Sequence, residues 1–209
     1  MSFYDTCMRL GLFGGSFDPV HCGHLLLAEF CRETSRLDQI SFIPAATPPH
    51  KQARPLTAGE HRLAMLDLAV GGQEAMAVSR LELDRGGVSY TVETLRTIHA
   101  QEPAAELFLL MGADTLDDLP NWREPAEVLR LATPIVVRRT GQSEPDFQCL
   151  APLVAAQRLA VLARHVVPMP LVEISSSDIR RRVAAGLSIR FQAPRAVEEY
   201  IRAQGLYRT

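Results

Sequence analysis

His21 and His24 flank Gly23, and directly before them runs Gly14-Gly15-Ser16-Phe17-Asp18-Pro19, itself preceded by Leu10, Leu12 and Phe13. An apolar run, a glycine pair and then imidazoles read as a strand, a turn and the start of a helix. A helix N-terminus carries unpaired N–H groups and a partial positive charge, so two imidazoles in its first turn make a cradle for phosphate. Gly14 and Gly15 remove side chains where phosphate must approach backbone, Pro19 fixes the loop, and Gly23 keeps the helix start uncrowded. A glycine pair alone is only a turn, and one histidine near a helix start is more often a cap. Their combination in one short stretch points to nucleotide chemistry.

Four further segments carry residues of the right kind. In Ile174-Ser175-Ser176-Ser177-Asp178-Ile179-Arg180, serines can cap a helix and donate to phosphate oxygens while Arg180 projects from its first turns. By itself this is a capped helix with a basic face. Gly112-Ala113-Asp114, followed by Leu119, Pro120, Asn121 and Trp122, lies just past an apolar run, where open parallel sheets bind ligands. Trp122 is the only tryptophan, and in a polar Pro-Asn-Trp-Arg loop it offers a stacking surface for a flat ring. Pro48-Pro49-His50-Lys51 places the only lysine after a stiff proline turn, either as a solvated charge or as a phosphate contact. Ser89-Tyr90-Thr91-Val92-Glu93-Thr94 precedes a helical pattern whose first N–H groups could receive a carboxylate.

The stretch from Gly14 to His24 resembles the HxGH signature of the nucleotidyltransferases that share a Rossmann-like core with some aminoacyl-tRNA synthetases. The serine segment is similar to that superfamily's ISSTxIR signature, with Ser177 in place of threonine, which keeps the hydroxyl. Gly-Ala-Asp with a following tryptophan, and the Pro-Pro-His-Lys loop, are similar to the bacterial nicotinate-nucleotide adenylyltransferases. The resemblance runs from Gly11 through Arg180 with the motifs in the family's order. It implies transfer of the adenylyl group of ATP to nicotinate mononucleotide, giving deamido-NAD and pyrophosphate, by in-line attack without a covalent enzyme intermediate and with Mg²⁺ accompanying ATP. It assigns Gly14, Gly15, Ser16, Phe17, His21, Gly23, His24, Gly112, Asp114, Ile174, Ser175, Ser176, Ser177 and Arg180 to ATP. Asp18, His50, Lys51, Tyr90, Thr91 and Trp122 go to the second substrate, Trp122 stacking on the pyridine and Tyr90 and Thr91 beside its carboxylate. His21, His24, Lys51 and Arg180 are the expected catalytic groups, and no protein metal ligands are implied.

These residues must be positioned by a fold. Short apolar runs alternate with helical patterns, the mark of strand-helix-strand units around a parallel sheet. The candidate strands are 8–13, 39–43, 76–81, 106–111, 134–137 and 166–172. Thr57-Ala58-Gly59-Glu60 reads as a capping box opening a helix with Leu63, Leu66 and Val70 inward. Pro125 and Pro194 suit first helical positions, Gly186 and Gly205 suit left-handed helix stops, and 140–145 reads as a surface loop. The expectation is an α/β, Rossmann-like, doubly wound parallel sheet with a C-terminal helical segment, residues 1–209 forming one nucleotidyltransferase domain.

Composition agrees. A chain of 209 residues, 47% of them hydrophobic, with a formal net charge of −2, buries a sizeable core and has no global positive field for nucleic acid or an anionic membrane. Arginine richness carries no functional weight. Cys7, Cys22, Cys31 and Cys149 lack zinc-type spacing, and free thiols suit the cytoplasm. The N-terminal residues do not read as a secretory signal, and no stretch is long and uncharged enough to cross a bilayer. Arg138, Arg139, His61, His99 and His165 are given no site role. Homo-oligomerisation is left open, as is nicotinate against nicotinamide mononucleotide. A transferase acting on phosphopantetheine is disfavoured by Trp122. An RNA-binding module lacks a basic patch, and a catalytically dead nucleotide sensor would not need the full set of phosphate-binding side chains.

Overall fold

The computed structural model describes residues 7–49, 56–141 and 143–208. His50 and Lys51 therefore lie outside the described residues. Among the described residues the strands are β1 (Arg9–Gly15), β2 (Gln39–Pro44), β3 (Met76–Val78), β4 (Glu106–Gly112), β5 (Thr133–Arg139) and β6 (Val166–Met169). They form one sheet in the order β3-β2-β1-β4-β5-β6, and every neighbouring pair is parallel. Chain order reverses between β1 and β4, which opens a crevice at their C-terminal ends. Gly14 and Gly15 close β1 there, and Gly112 closes β4.

Strand alternation sorts the core into two layers. Leu10 and Leu12 of β1 and Leu107, Leu109 and Met111 of β4 face one side, where they meet α4 (Thr91–Gln101), α5 (Ala113–Asp118), α6 (Pro125–Leu131) and α7 (Ala156–Leu162). Phe13, Phe108 and Leu110 face the other, against α1 (Cys22–Thr34), α2 (Gly59–Val70), α8 (Ser176–Ala184) and α9 (Arg195–Ala203). Helices thus cover both faces, as the doubly wound pattern requires, with a short α3 (Leu81–Arg85) following β3. Gly186 and Gly205 take left-handed φ values of 67° and 64°. Each sits in a Schellman turn, the N–H of Leu187 donating to Arg182 and that of Leu206 to Ile201.

The structure corrects four local expectations. The capping box at 57–60 does not form. Ala58 is the N-cap of α2 without a side-chain cap bond, because Glu60 is drawn away to Arg80 (2.8 and 3.0 Å). Thr57 instead gives its N–H to Asp18 and its carbonyl to Arg62. Leu63, Leu66 and Val70 nevertheless point inward. β3 ends at Val78 rather than at 81, since the Ser79 hydroxyl accepts the Leu81 N–H and turns the chain into α3. β6 ends at Met169 rather than at 172, since Pro170 has no N–H to continue the ladder. Pro194 is the N-cap of α9, one position earlier than expected, whereas Pro125 does open α6.

Candidate active site

A cleft of about 810 Å³ opens at the crevice between β1 and β4. Its floor is the loop from Gly14 to Asp18. A methyl group added at Gly14 would meet nothing within 4 Å, so this backbone faces open space. At Gly15 it would strike the ring of Phe17 at 3.0–3.2 Å. Phe17 is itself buried, edge-on to Phe13 and His24, and reaches that position with a left-handed φ of 47°. Packing thus favours glycine at Gly15, whereas at Gly14 its lack of a side chain leaves the backbone open to the cleft.

His21 is the N-cap of α1 and His24 lies in its first turn. Their rings stack with centroids 3.6 Å apart. The backbone N–H of His21 donates to Nδ1 of His24 at 3.2 Å, which leaves the neutral imidazole of His24 with its proton on Nε2. His24 lines the cleft, whereas His21 does not and is buried, with Nδ1 lacking a partner among the described residues. A side chain at Gly23 would press on the His21 ring, 3.1 Å from an added Cβ.

Burial, and secondarily the positive charge of Arg139, lowers the His21 pKa to about 4. His21 is therefore a neutral hydrogen-bonding group at pH 7. Between pH 6.5 and 4 the unfolded chain binds a proton at this position that the folded chain refuses, so stability falls as pH is lowered through that window, by roughly 3 kcal/mol at most. Denaturant unfolding at pH 7 and pH 4.5 checks this. The wild-type chain should lose about 2–3 kcal/mol more between the two than His21→Gln; equal losses would remove the burial argument.

The C-terminal segment completes the floor. Ser175 is the N-cap of α8, and its hydroxyl accepts the Asp178 N–H at 3.1 Å. The Ser176 hydroxyl donates to the Pro19 carbonyl at 2.8 Å, and Nη1 of Arg180 donates to the Asp18 carbonyl at 2.6 Å. Ser176, Ser177 and Arg180 line the cleft; Ile174 and Ser175 do not. Sequence segments more than 150 residues apart thus meet two residues from His21.

The opposite wall is formed by Tyr90, Thr91, Gly112, Asp114 and Trp122. Tyr90 is the N-cap of α4, and Tyr90 and Thr91 both line the cleft, so the start of that helix borders it. Asp114 lies in the first turn of α5. The Trp122 indole N–H donates to Asp118 at 3.2 Å, and the Asn121 amide donates to the other oxygen of the same carboxylate at 3.3 Å. The guanidinium of Arg123 lies 4.6 Å from the centre of the Tyr90 ring and donates to Glu93 at 2.9 Å. These contacts strap the tryptophan loop to α4, leaving a slot with an aromatic side and a helix N-terminus.

Asp18 lines the cleft, but its carboxylate is buried and engaged from behind by the Tyr207 hydroxyl (2.6 Å) and the Thr57 N–H (3.3 Å). Arg62, 2% exposed, donates to the carbonyls of Ser16 and Thr57. Arg62, Asp118, Arg123 and Tyr207 escaped the sequence reading. Only Arg62 left a signal, a charge among the inward positions of an apolar helix. His61 lies away from the cleft and joins α2 to α9 through Tyr200 at 2.9 Å.

A phosphate-sized floor rich in N–H and O–H donors, beside a slot for a flat anionic ring, can hold two nucleotides with their phosphates adjacent. The comparisons with known proteins agree in kind. Residues 12–182 match the cytidylyltransferase-like family. A protein of Thermomicrobium roseum named as a probable nicotinate-nucleotide adenylyltransferase is 49% identical over 201 residues, covering 96% of this chain and 92% of its own. One of the same name from Thermus thermophilus is 46% identical, covering 96% and 100%. The fold is similar to that of a Plasmodium falciparum nicotinic acid mononucleotide adenylyltransferase solved with NaAD (TM-score 0.72, 17% identity, 96% and 97% covered). The chain belongs to the cytidylyltransferase-like nucleotidyltransferases and, among them, to the nicotinate-nucleotide adenylyltransferase family.

Proposed function

We propose that this chain, acting as one domain over 1–209, transfers the adenylyl group of ATP to nicotinate mononucleotide. A 5′-phosphate oxygen of the mononucleotide attacks the α-phosphorus of ATP, the bond from that phosphorus to the oxygen bridging to the β-phosphate breaks, and deamido-NAD and pyrophosphate leave. The observation that carries the reading is the joining of two half-sites in one cleft: the donor-rich floor around Gly14, His24, Ser176 and Arg180, and the slot between Trp122 and the start of α4. The chemistry asks for positioning and for donors aimed at charge as it develops. Gly14 gives the triphosphate access to backbone; His24 and Arg180 face the oxygens that gain charge. His21, neutral and stacked behind His24, acts by hydrogen bonding and by fixing the pair. Asp18 serves through its backbone and by holding the loop. His50 and Lys51 keep the substrate-side role implied by the sequence.

Mg²⁺ is taken to arrive as part of the ATP substrate. Among the described residues no three of His, Cys, Asp or Glu are grouped as a cation site, and a magnesium ion held by phosphates needs only one or two protein carboxylates. No helix among the described residues is long and apolar enough to cross a membrane, and four unpaired cysteines fit a reducing cytoplasm.

Initial rates with ATP and either nicotinate or nicotinamide mononucleotide test the proposal. The acid should release one pyrophosphate per dinucleotide formed, with kcat/KM about 100-fold above the amide, because helix N–H groups reward a carboxylate. No pyrophosphate from either substrate would overturn the reading, and preference for the amide would replace it with the runner-up. Trp122→Ala should raise KM for the pyridine nucleotide about tenfold with kcat within about threefold, since stacking is present in ground and transition states alike. Asp118→Ala should shift the same KM in the same direction by less. An unchanged KM in Trp122→Ala would remove the stacking assignment.

A further inference from the structure

We infer that Tyr207 is a positioning residue of the phosphate-binding floor, acting from the C-terminal end through Asp18; the inference rests on the proposed adenylyl transfer for its kinetic consequence. Asp18 occupies the loop between the glycine pair and the histidines, and its own carbonyl is the group that Arg180 grips. A buried carboxylate holds one orientation only while donors meet its oxygens. Among the described residues two donors do so: the Thr57 N–H at 3.3 Å and the Tyr207 hydroxyl at 2.6 Å. The tyrosine bond is the shorter, and it spans 189 residues of sequence.

The rest of the C-terminal segment is built to deliver that hydroxyl. Val197 and Ile201 bury α9 in the core, and Tyr200 pins it to His61 of α2. The Schellman turn at Gly205 then reverses the chain. Tyr207 completes the approach with a left-handed φ of 61°, a region bulky residues rarely occupy. A residue held there by its neighbours is one whose aim is over-determined. Burial and the bond to Asp18 push the phenol pKa well above its ordinary value, so Tyr207 stays a donor throughout the working pH range. Arg62 fastens the same loop at the Ser16 carbonyl. The floor is therefore held from behind by α2 and by the chain end, while α8 holds it from the cleft side.

Loss of the hydroxyl frees the Asp18 carboxylate to turn toward water and lets the loop drift. Displacements of a fraction of an ångström matter for in-line transfer. The test is Tyr207→Phe, which keeps the ring and its packing. We expect kcat to fall about tenfold with KM for either substrate within about twofold, while Tm drops by no more than about 5 °C. Amide hydrogen exchange over 15–20 should accelerate about tenfold with α9 unchanged. In the double variant with Asp18→Asn, the effects on kcat should not add, because both act through one bond. Unchanged kcat, or unchanged exchange over 15–20, overturns the inference, as does acceleration spread evenly over α2 and α9. If the wild-type chain performs no adenylyl transfer, the functional reading falls, and the exchange comparison alone still decides for or against Tyr207.

Discussion

His24→Ala is expected to lower kcat about 1,000-fold while changing KM for nicotinate mononucleotide by less than about threefold. The ring is held in one orientation. Nδ1 is occupied by the His21 N–H, the stacked His21 ring covers one face, and Phe13 and Phe17 approach edge-on at 5.9 and 5.1 Å. With four contacts from three residues setting its pose, the imidazole is oriented before substrate arrives, so the proposed reaction needs no reorganisation of this group as pyrophosphate begins to leave. In the ground state the phosphate oxygens have many alternative partners, water included; under the proposed adenylyl transfer this donor meets the extra charge of the transition state. The interaction thus strengthens along the reaction coordinate, which is why kcat and not KM should carry the loss. His24→Gln, which keeps an N–H of similar reach, should recover part of it. Steady-state kinetics with both substrates varied provide the check: a rise in KM with kcat within about threefold would make His24 a ground-state binding residue.

What the sequence showed of this site was whatever was local. The glycine pair, the two histidines at one helix start and the serines at another declare themselves because each depends on backbone within a few residues. β1 and β4 were legible for a similar reason: Leu10, Leu12 and Phe13, and Leu107 to Met111, are apolar on both faces, as a central parallel strand must be. Gly186 and Gly205 were legible as helix stops because only the left-handed conformation explains a glycine there. The failures are tertiary. Thr57 and Glu60 have the right chemistry and spacing for a capping box, yet Asp18, Arg62 and Arg80 offer each a partner the local pattern does not contain. Arg62 bonds a carbonyl 46 residues away, and Tyr207 a carboxylate 189 residues away. No window on the sequence connects such pairs. The residues assigned to nucleotide were therefore easier to read from the sequence than those that hold them in place.

That distinction bears on Arg180, to which the proposed function gives both parts. Arg180→Ala is expected to lower kcat/KM for ATP about 300-fold. One arm of the guanidinium is engaged with the Asp18 carbonyl at 2.6 Å, and the side chain lines the cleft. A planar cation with five donors can keep that bond and still present N–H groups to a triphosphate, whereas an ammonium must choose. Arg180→Lys therefore preserves the charge but loses the fork, and should recover no more than about tenfold of the alanine defect. The two roles separate by chemical rescue. Guanidinium ion added to Arg180→Ala at millimolar concentration can refill the site and restore charge, yet it has no covalent stem to α8 and cannot restore the tie between α8 and the loop. Recovery of a substantial part of kcat/KM, with amide exchange over 15–20 still faster than in the wild-type chain, is the expected result. Full recovery of activity by Arg180→Lys would show that charge alone suffices, and absence of rescue together with a large fall in Tm would reduce Arg180 to a brace for the loop.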